Sequence, residues 1–114
     1  MISEKKATHL YLKPENKEKN SFGSVILSSG YSSDILLDLS SLETTDDSLV
    51  FSLNQINQDI VSRGFCLVVV LKEAPSISDI EPLNIVPTLI EALDYIQMEQ
   101  IQRDLGLSLW NLIF

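Results

Sequence analysis

The sequence predicts a single α/β domain: a small sheet of about four strands, mostly parallel or mixed, with helices packed on it. Three observations carry that expectation. Residues 35–39 and 65–71 are apolar runs without alternation, the pattern of strands buried on both faces. Between them Leu49, Leu53, Ile56 and Ile60 recur at spacings of four, three and four, the apolar stripe of a helix over about residues 46–62. Strand, helix and strand joined by short connections form a right-handed βαβ crossover. A chain of 114 residues suffices for one domain with one modest core.

The remaining elements follow in order. Residues 7–12 read as a first strand, with Thr8, Leu10 and Leu12 on one side and His9 and Tyr11 on the other; Pro14 stops it. His9 is expected to be an exposed strand residue. Residues 16–30 read as a short helix carrying Phe22, Val25 and Ile26 on one face and Gly30 as its stop, although Gly23 and two β-branched residues weaken it. A strand over residues 24–28 is the rival. Val50 and Val61 support the stripe of the next helix, and Gly64 stands where it ends. Residues 72–78 turn polar around Pro75, and a helical turn is expected over 79–81. Residues 83–86, bounded by Pro82 and Pro87, suit an edge strand. A last helix spans 88–105, with Leu89, Leu93, Ile96, Ile101 and Leu105 as its stripe. Thr88 and Glu91 form a capping box at its start, and Gly106 closes it. The domain is therefore expected over residues 1–106. Residues 107–114 form an apolar extension in which Trp110, Ile113 and Phe114 either fold back onto the domain or dock on a neighbour.

Charge narrows the partners. The formal net charge of −8 argues against nucleic acid, whose phosphates call for clustered Lys and Arg. The lysines of the first 19 residues are interleaved with Glu4, Glu15 and Glu18, which reads as a solvated segment. The longest apolar run is far short of the ~18–20 residues that cross a bilayer. A lone Cys66 and the absence of a leader-like start fit a cytoplasmic protein without membrane or disulfide partners.

Enzyme chemistry has little to stand on. One His and one Cys supply neither a metal set nor a nucleophile with its base, and the four glycines are too scattered for a phosphate loop. No cofactor is expected. Cys66, in a doubly buried strand, reads as an inert small hydrophobe. Asp94, Glu99 and Asp104, among Gln97, Gln100, Gln102 and Arg103, read as the solvated face of the last helix.

What stands out is the turn at Thr44, Thr45, Asp46, Asp47 and Ser48. Short oxygen-bearing side chains cap the free N–H groups of a helix start, and carboxylates there meet the helix dipole favourably. Capping alone accounts for the composition. The functional counterpart is a switch, since a phosphate on Ser48 would add ~1.5–2 negative charges beside two carboxylates.

Asp38, Leu39, Ser40, Ser41 and Leu42, followed by the turn to Asp46, Asp47 and Ser48, resemble the STAS domain of anti-sigma factor antagonists and sulfate-transporter tails. The likeness covers about residues 34–105. It maps Asp46 onto the Asp of the family's Asp-Ser-Ser-Gly-Leu turn and Ser48 onto its phospho-acceptor serine. Asp47 replaces the first serine, so that a built-in carboxylate stands beside Ser48, and Leu49 replaces the glycine. Residues 86–106 also resemble the closing segment of small bacterial STAS-like proteins often labelled ribonuclease Z or its companions. A two-zinc nuclease needs many ligands, so only a companion role could apply to a chain with one His.

The resemblance implies a non-catalytic domain that binds another protein, a kinase-like anti-sigma factor or a nuclease, through residues 45–48. Two other readings remain open. One is a homodimer or larger oligomer using the apolar tail; the other is a small-ligand or nucleotide module at the carboxyl ends of the strands.

Overall fold

The computed structural model describes residues 1–43, 46–72 and 83–113, the side chains of 106–113 excepted. Five strands form one sheet in chain order: β1 (Ile2–Lys5), β2 (His9–Lys13), β3 (Asp34–Asp38), β4 (Leu67–Val70) and β5 (Asn84–Val86). β1 is antiparallel to β2, and the other pairings are parallel. The mixed α/β sheet is as expected, with one strand more. The additional strand, β1, has no buried residue and carries Glu4 and Lys5, so it lacks the alternation that identifies strands in sequence. Charged side chains suit it as an outer edge, where they discourage pairing with other chains.

Two helices, α1 (Phe22–Ser28) and α2 (Asp47–Ser62), cover one face of the sheet. The third, α3 (Leu89–Ile113), covers the other. β3 and β4 are therefore buried on both faces, which explains their unbroken apolar runs. Ile35, Leu37, Leu67 and Val69 point toward α1 and α2, whereas Leu36, Cys66, Val68 and Val70 point toward α3. The α2 stripe of Leu49, Leu53, Ile56 and Ile60 lies wholly in the larger core, each side chain contributing ~1.5–3 kcal/mol of burial. Val50 joins the buried set, but Val61 is 58% exposed.

The helix ends follow local chemistry. At the close of α2, Phe65 N–H donates to Ile60 O and Gly64 N–H to Val61 O, with Gly64 at φ +85°. That is the glycine-terminated Schellman arrangement, which returns the chain at once into β4. Asp59 of α2 accepts from the Tyr31 hydroxyl and pairs with Arg63, tying the entry of β3 to the end of α2. The segment between β2 and β3 does form the short helix α1, not a strand, after a 3-10 turn at Asn16–Glu18.

α3 departs from expectation in two ways. Thr88 Oγ1 accepts from Glu91 N–H as a cap should, but the helix does not stop at Gly106. It runs on to Ile113, so the tail prolongs α3 instead of folding back. Among its described side chains Ala92 and Ile96 are buried, while Leu89, Leu93, Ile101 and Leu105 remain 41–49% exposed. The expected turns over 73–81 lie outside the described residues.

Candidate functional site

The connection from β3 to α2 is built from side chains that each hold a backbone group. Asp38, at the carboxyl end of β3, accepts from Ser40 N–H at 3.0 Å with one oxygen and from the Tyr11 hydroxyl at 2.6 Å with the other. Burial would raise its pKa; those donors outweigh it and hold the carboxyl below the usual range. Burial and the same contact push the Tyr11 phenol up to about 12. Asn16 Oδ1, in the 3-10 turn, accepts from Glu43 N–H at 3.2 Å.

At the far side of this connection Asp46 is the N-cap of α2. Its backbone is extended, and Oδ1 accepts from Leu49 N–H at 2.9 Å. Oδ2 pairs with Lys19 Nζ at 3.0 Å. The Leu49 N–H first, and Lys19 second, keep Asp46 below the usual carboxylate range, so it is ionised and engaged at neutral pH. Asp47 and Ser48 follow in the first turn, both exposed. Phe51, one turn on, is 63% exposed. Residues three and four apart share a helix face, so Asp47, Ser48 and Phe51 form one patch with a charge, a hydroxyl and an aromatic ring.

The structure thus brings Asp46, Asp47 and Ser48 together and gives Asp46 a different task from its neighbours: it holds the helix start, and they face solvent. Thr45 and Phe114 lie outside the described residues. Trp110 and Ile113 fall in the last turns of α3, remote in sequence from this patch. Phe51 has no signature in the sequence beyond its place off the apolar stripe of α2.

A second cluster, missed by sequence reasoning, lies at the opposite end of β3. Parallel register aligns His9 with Asp34 and Asp34 with the residue before Leu67, so His9, Asp34 and Cys66 form one row across three strands. His9 is 6% exposed, which corrects the expectation of a solvated histidine. Its Nδ1 contacts Thr8 Oγ1 at 2.9 Å. Asp34 accepts from Cys66 N–H at 2.9 Å and, from across the interface with α3, from Gln100 Nε2 at 2.9 Å and Arg103 Nη2 at 2.8 Å. Gln100 also donates to Thr8 O at 2.7 Å. Gln100 and Arg103, expected on a solvated face, are therefore the clasp between α3 and the sheet.

A histidine, a carboxylate and a thiol in one row invite comparison with nucleophilic sites, but the electrostatics point the other way. Burial first, then the Asp34 charge, pushes the Cys66 thiol up to about 12, so the nucleophilic thiolate does not form at neutral pH. Burial and Lys6 lower the His9 pKa. Asp34 is occupied by four donor contacts and is held below the usual range although burial opposes it. Through Asp34 the row holds Gln100 and Arg103 of α3 against the sheet. Among the described residues no group of three or more His, Cys, Asp or Glu is placed to hold a metal ion, and no helix is long and apolar enough to cross a membrane.

Among solved structures, the chain is similar to a serine-to-glutamate variant of RsbS from Moorella thermoacetica. Identity is 17%, the match covers 87% of this chain and 96% of that one, and the TM-score is 0.69. It is also similar to the protein TM1081, solved by NMR, at 19% identity over 83% of this chain and 86% of that one, with a TM-score of 0.59. At such identities the likeness concerns the fold, which is STAS-like. No protein-family profile matches the chain, and no curated protein matches it. The ribonuclease Z label gains no support from either structure.

Proposed function

We propose that this protein is a non-catalytic regulator of the STAS type, in the manner of an anti-sigma factor antagonist, and that it acts in the cytoplasm by docking another protein on the start of α2. The observation that carries the reading is the division of labour at the turn. Asp46 is spent on Leu49 N–H and Lys19, which leaves Asp47, Ser48 and Phe51 as a rigidly held, exposed patch. The STAS-like fold shared with RsbS supports it. A kinase-like protein is the partner class: Ser48 offers an accessible hydroxyl at a braced helix start, and Asp47 makes the patch acidic before any modification.

Titration calorimetry against kinase-like anti-sigma candidates tests this, with wild type beside Ser48→Glu, Ser48→Ala and Phe51→Ala. Phe51→Ala is expected to weaken binding at least tenfold, the ~1.4 kcal/mol or more that a central aromatic contact supplies. Ser48→Glu is expected to weaken it too, with Ser48→Ala near wild type. Equal affinity across all four proteins removes the α2 start from the interface.

A further inference from the structure

α3 lies over β3, β4 and β5, which leaves the same face of β1 and β2 open beside its first turns. A cavity of about 580 Å³ fills that step, with Glu4, Lys6, His9 and Tyr11 along the hairpin and Leu89 and Leu93 on the helical wall. Strand pairing explains the polar side. Residues opposite each other on antiparallel strands point to one face. Glu4 stands opposite Tyr11, and Lys6, whose N–H donates to His9 O, stands opposite His9. Leu10 and Leu12 alternate with them and turn to the larger core. Volume and make-up, apolar walls with a few placed polar groups, are those of a small-molecule site.

The polar groups select the occupant. Lys6 Nζ and a Glu4 carboxylate oxygen hold each other at 2.7 Å, with about half of each side chain exposed. An exposed pair of this kind contributes little, so a ligand opens it at small cost. An anion would take Lys6 and strand Glu4, in a chain whose net charge of −8 already repels anions. A cation would take Glu4 and strand Lys6. A ligand carrying both charges serves both side chains, and their close approach demands that its ammonium and carboxylate also stand close together. A free amino acid carries the two on one carbon. Leu89, Leu93 and the half-buried ring of Tyr11 then call for a large apolar side chain, best an aromatic one.

We propose that this cavity binds a free amino acid with a large apolar side chain. Lys6 takes its carboxylate, Glu4 takes its ammonium, and Leu89, Leu93 and Tyr11 enclose its side chain. His9, the single histidine of the chain, lines the same cavity and reports occupancy, since a ligand there changes both solvent and charge around its ring. The site lies on the α3 face of the sheet, whereas α2 covers the other face, so binding here is independent of docking at the start of α2.

Titration calorimetry on the full chain tests this with L-phenylalanine beside 3-phenylpropanoate, which lacks the ammonium, and phenethylamine, which lacks the carboxylate. Phenylalanine is expected to bind and to move the His9 ring resonances in NMR spectra, with each singly charged analogue about tenfold or more weaker. Lys6→Met and Glu4→Gln are each expected to weaken phenylalanine binding by about tenfold or more with an unchanged melting temperature. Lys17→Met, which breaks the exposed pair with Glu15 outside the cavity, is expected to bind as wild type does. Absence of both heat and His9 shifts at millimolar phenylalanine overturns the proposal. So do equal affinities for all three ligands, the mark of a ring lodged on an apolar surface, or undiminished binding in the Lys6 and Glu4 variants.

Discussion

One guanidinium nitrogen of Arg103 donates to both carboxylate oxygens of Asp34, at 2.8 and 2.9 Å, across a sequence separation of 69 residues. Asp34 is 2% exposed and Arg103 is half in solvent, so the pair is a buried anion met from the surface. With Gln100 beside it, this contact fixes where the long helix α3 lies along the sheet.

Removing either partner is therefore unequal. Asp34→Ala strands the Cys66 N–H, Gln100 and Arg103 at once and is expected to cost about 2–4 kcal/mol. Arg103→Ala leaves Gln100 and Cys66 on the carboxylate, and the pair is partly screened, so about 1–2 kcal/mol is expected. Urea unfolding at neutral pH reads both. Equal losses, or losses within error of zero, contradict the clasp.

The only histidine makes the pH dependence separable. The folded-state pKa of His9 is lowered, so the unfolded chain takes up the proton first, near its ordinary value of about 6.5. Stability is thus expected to be full above that value and to fall as pH drops toward the folded pKa. Asp34 and Asp38 act lower on the scale: their depressed pKa values confer stability above about pH 4 that is lost as pH falls through the folded values. Melting curves between about pH 7 and pH 5 should slope for wild type and flatten for His9→Asn. An identical slope in the variant would assign the effect elsewhere.

Gly23 has room for a methyl group. A Cβ there would meet Ile56 Cδ1 at 3.6 Å and Ser52 Cβ at 3.7 Å, ordinary contact distances between α1 and α2. Gly23→Ala is expected to stabilise the protein by about 0.5–1 kcal/mol through helix propensity and unfolded-state entropy. Chemical denaturation decides, and a loss of stability would mean that α1 cannot give even that little.

At the α2 start, Asp46 and Ser48 should separate cleanly. Asp46→Ala removes both the cap on Leu49 and the bond to Lys19 and is expected to lower the melting temperature and speed proteolysis between residues 40 and 50. Ser48→Ala, an exposed change, is expected to stay within about 0.5 kcal/mol of wild type. The reverse order would make Ser48 the structural residue of the turn.

Among the described residues, the contacts between α3 and the sheet include Ala92, Tyr95, Ile96, Gln100 and Arg103. We propose that residues 107–114 are an extension beyond the domain, and a chain shortened after Gly106 is expected to keep its circular dichroism signature and melt within a few degrees of full length. Loss of cooperative melting would place the last eight residues in the folding unit.

How far the sequence reveals this molecule depends on the range of each interaction. The β3 and β4 runs and the α2 stripe are legible because burial acts on neighbouring positions with a fixed period. The caps at Asp46 and Thr88 are legible because a cap and its N–H lie three residues apart. β1 is not, since an edge strand with no buried face has no period to show. Gln100 and Arg103 escape a sequence reading for a different reason: their partner is Asp34, and no local pattern announces a bond closed over 66 or 69 residues. His9 escapes it because its burial depends on what packs over the strand, which its own neighbours in sequence do not show. The expected α3 stripe of Leu89, Leu93, Ile96, Ile101 and Leu105 does not hold as one face: Ile96 is buried with Ala92, whereas the other four are 41–49% exposed, because periodicity alone does not say which side of a helix meets the sheet.

Asp34 and Asp38 stand at the two ends of β3, on the same face, about 13 Å apart along a strand of five residues. Each is gripped by a different element, the first by α3 and the second by Tyr11 of β2. A shift of β3 by one residue would turn both carboxylates into the apolar layer beneath α1 and α2 while lifting Ile35 and Leu37 out of it. A substitution within Asp34–Asp38 disturbs one position; a one-residue deletion or insertion there reverses the facing of every position beyond it. The strand is thus a ruler whose length is under tighter constraint than its letters.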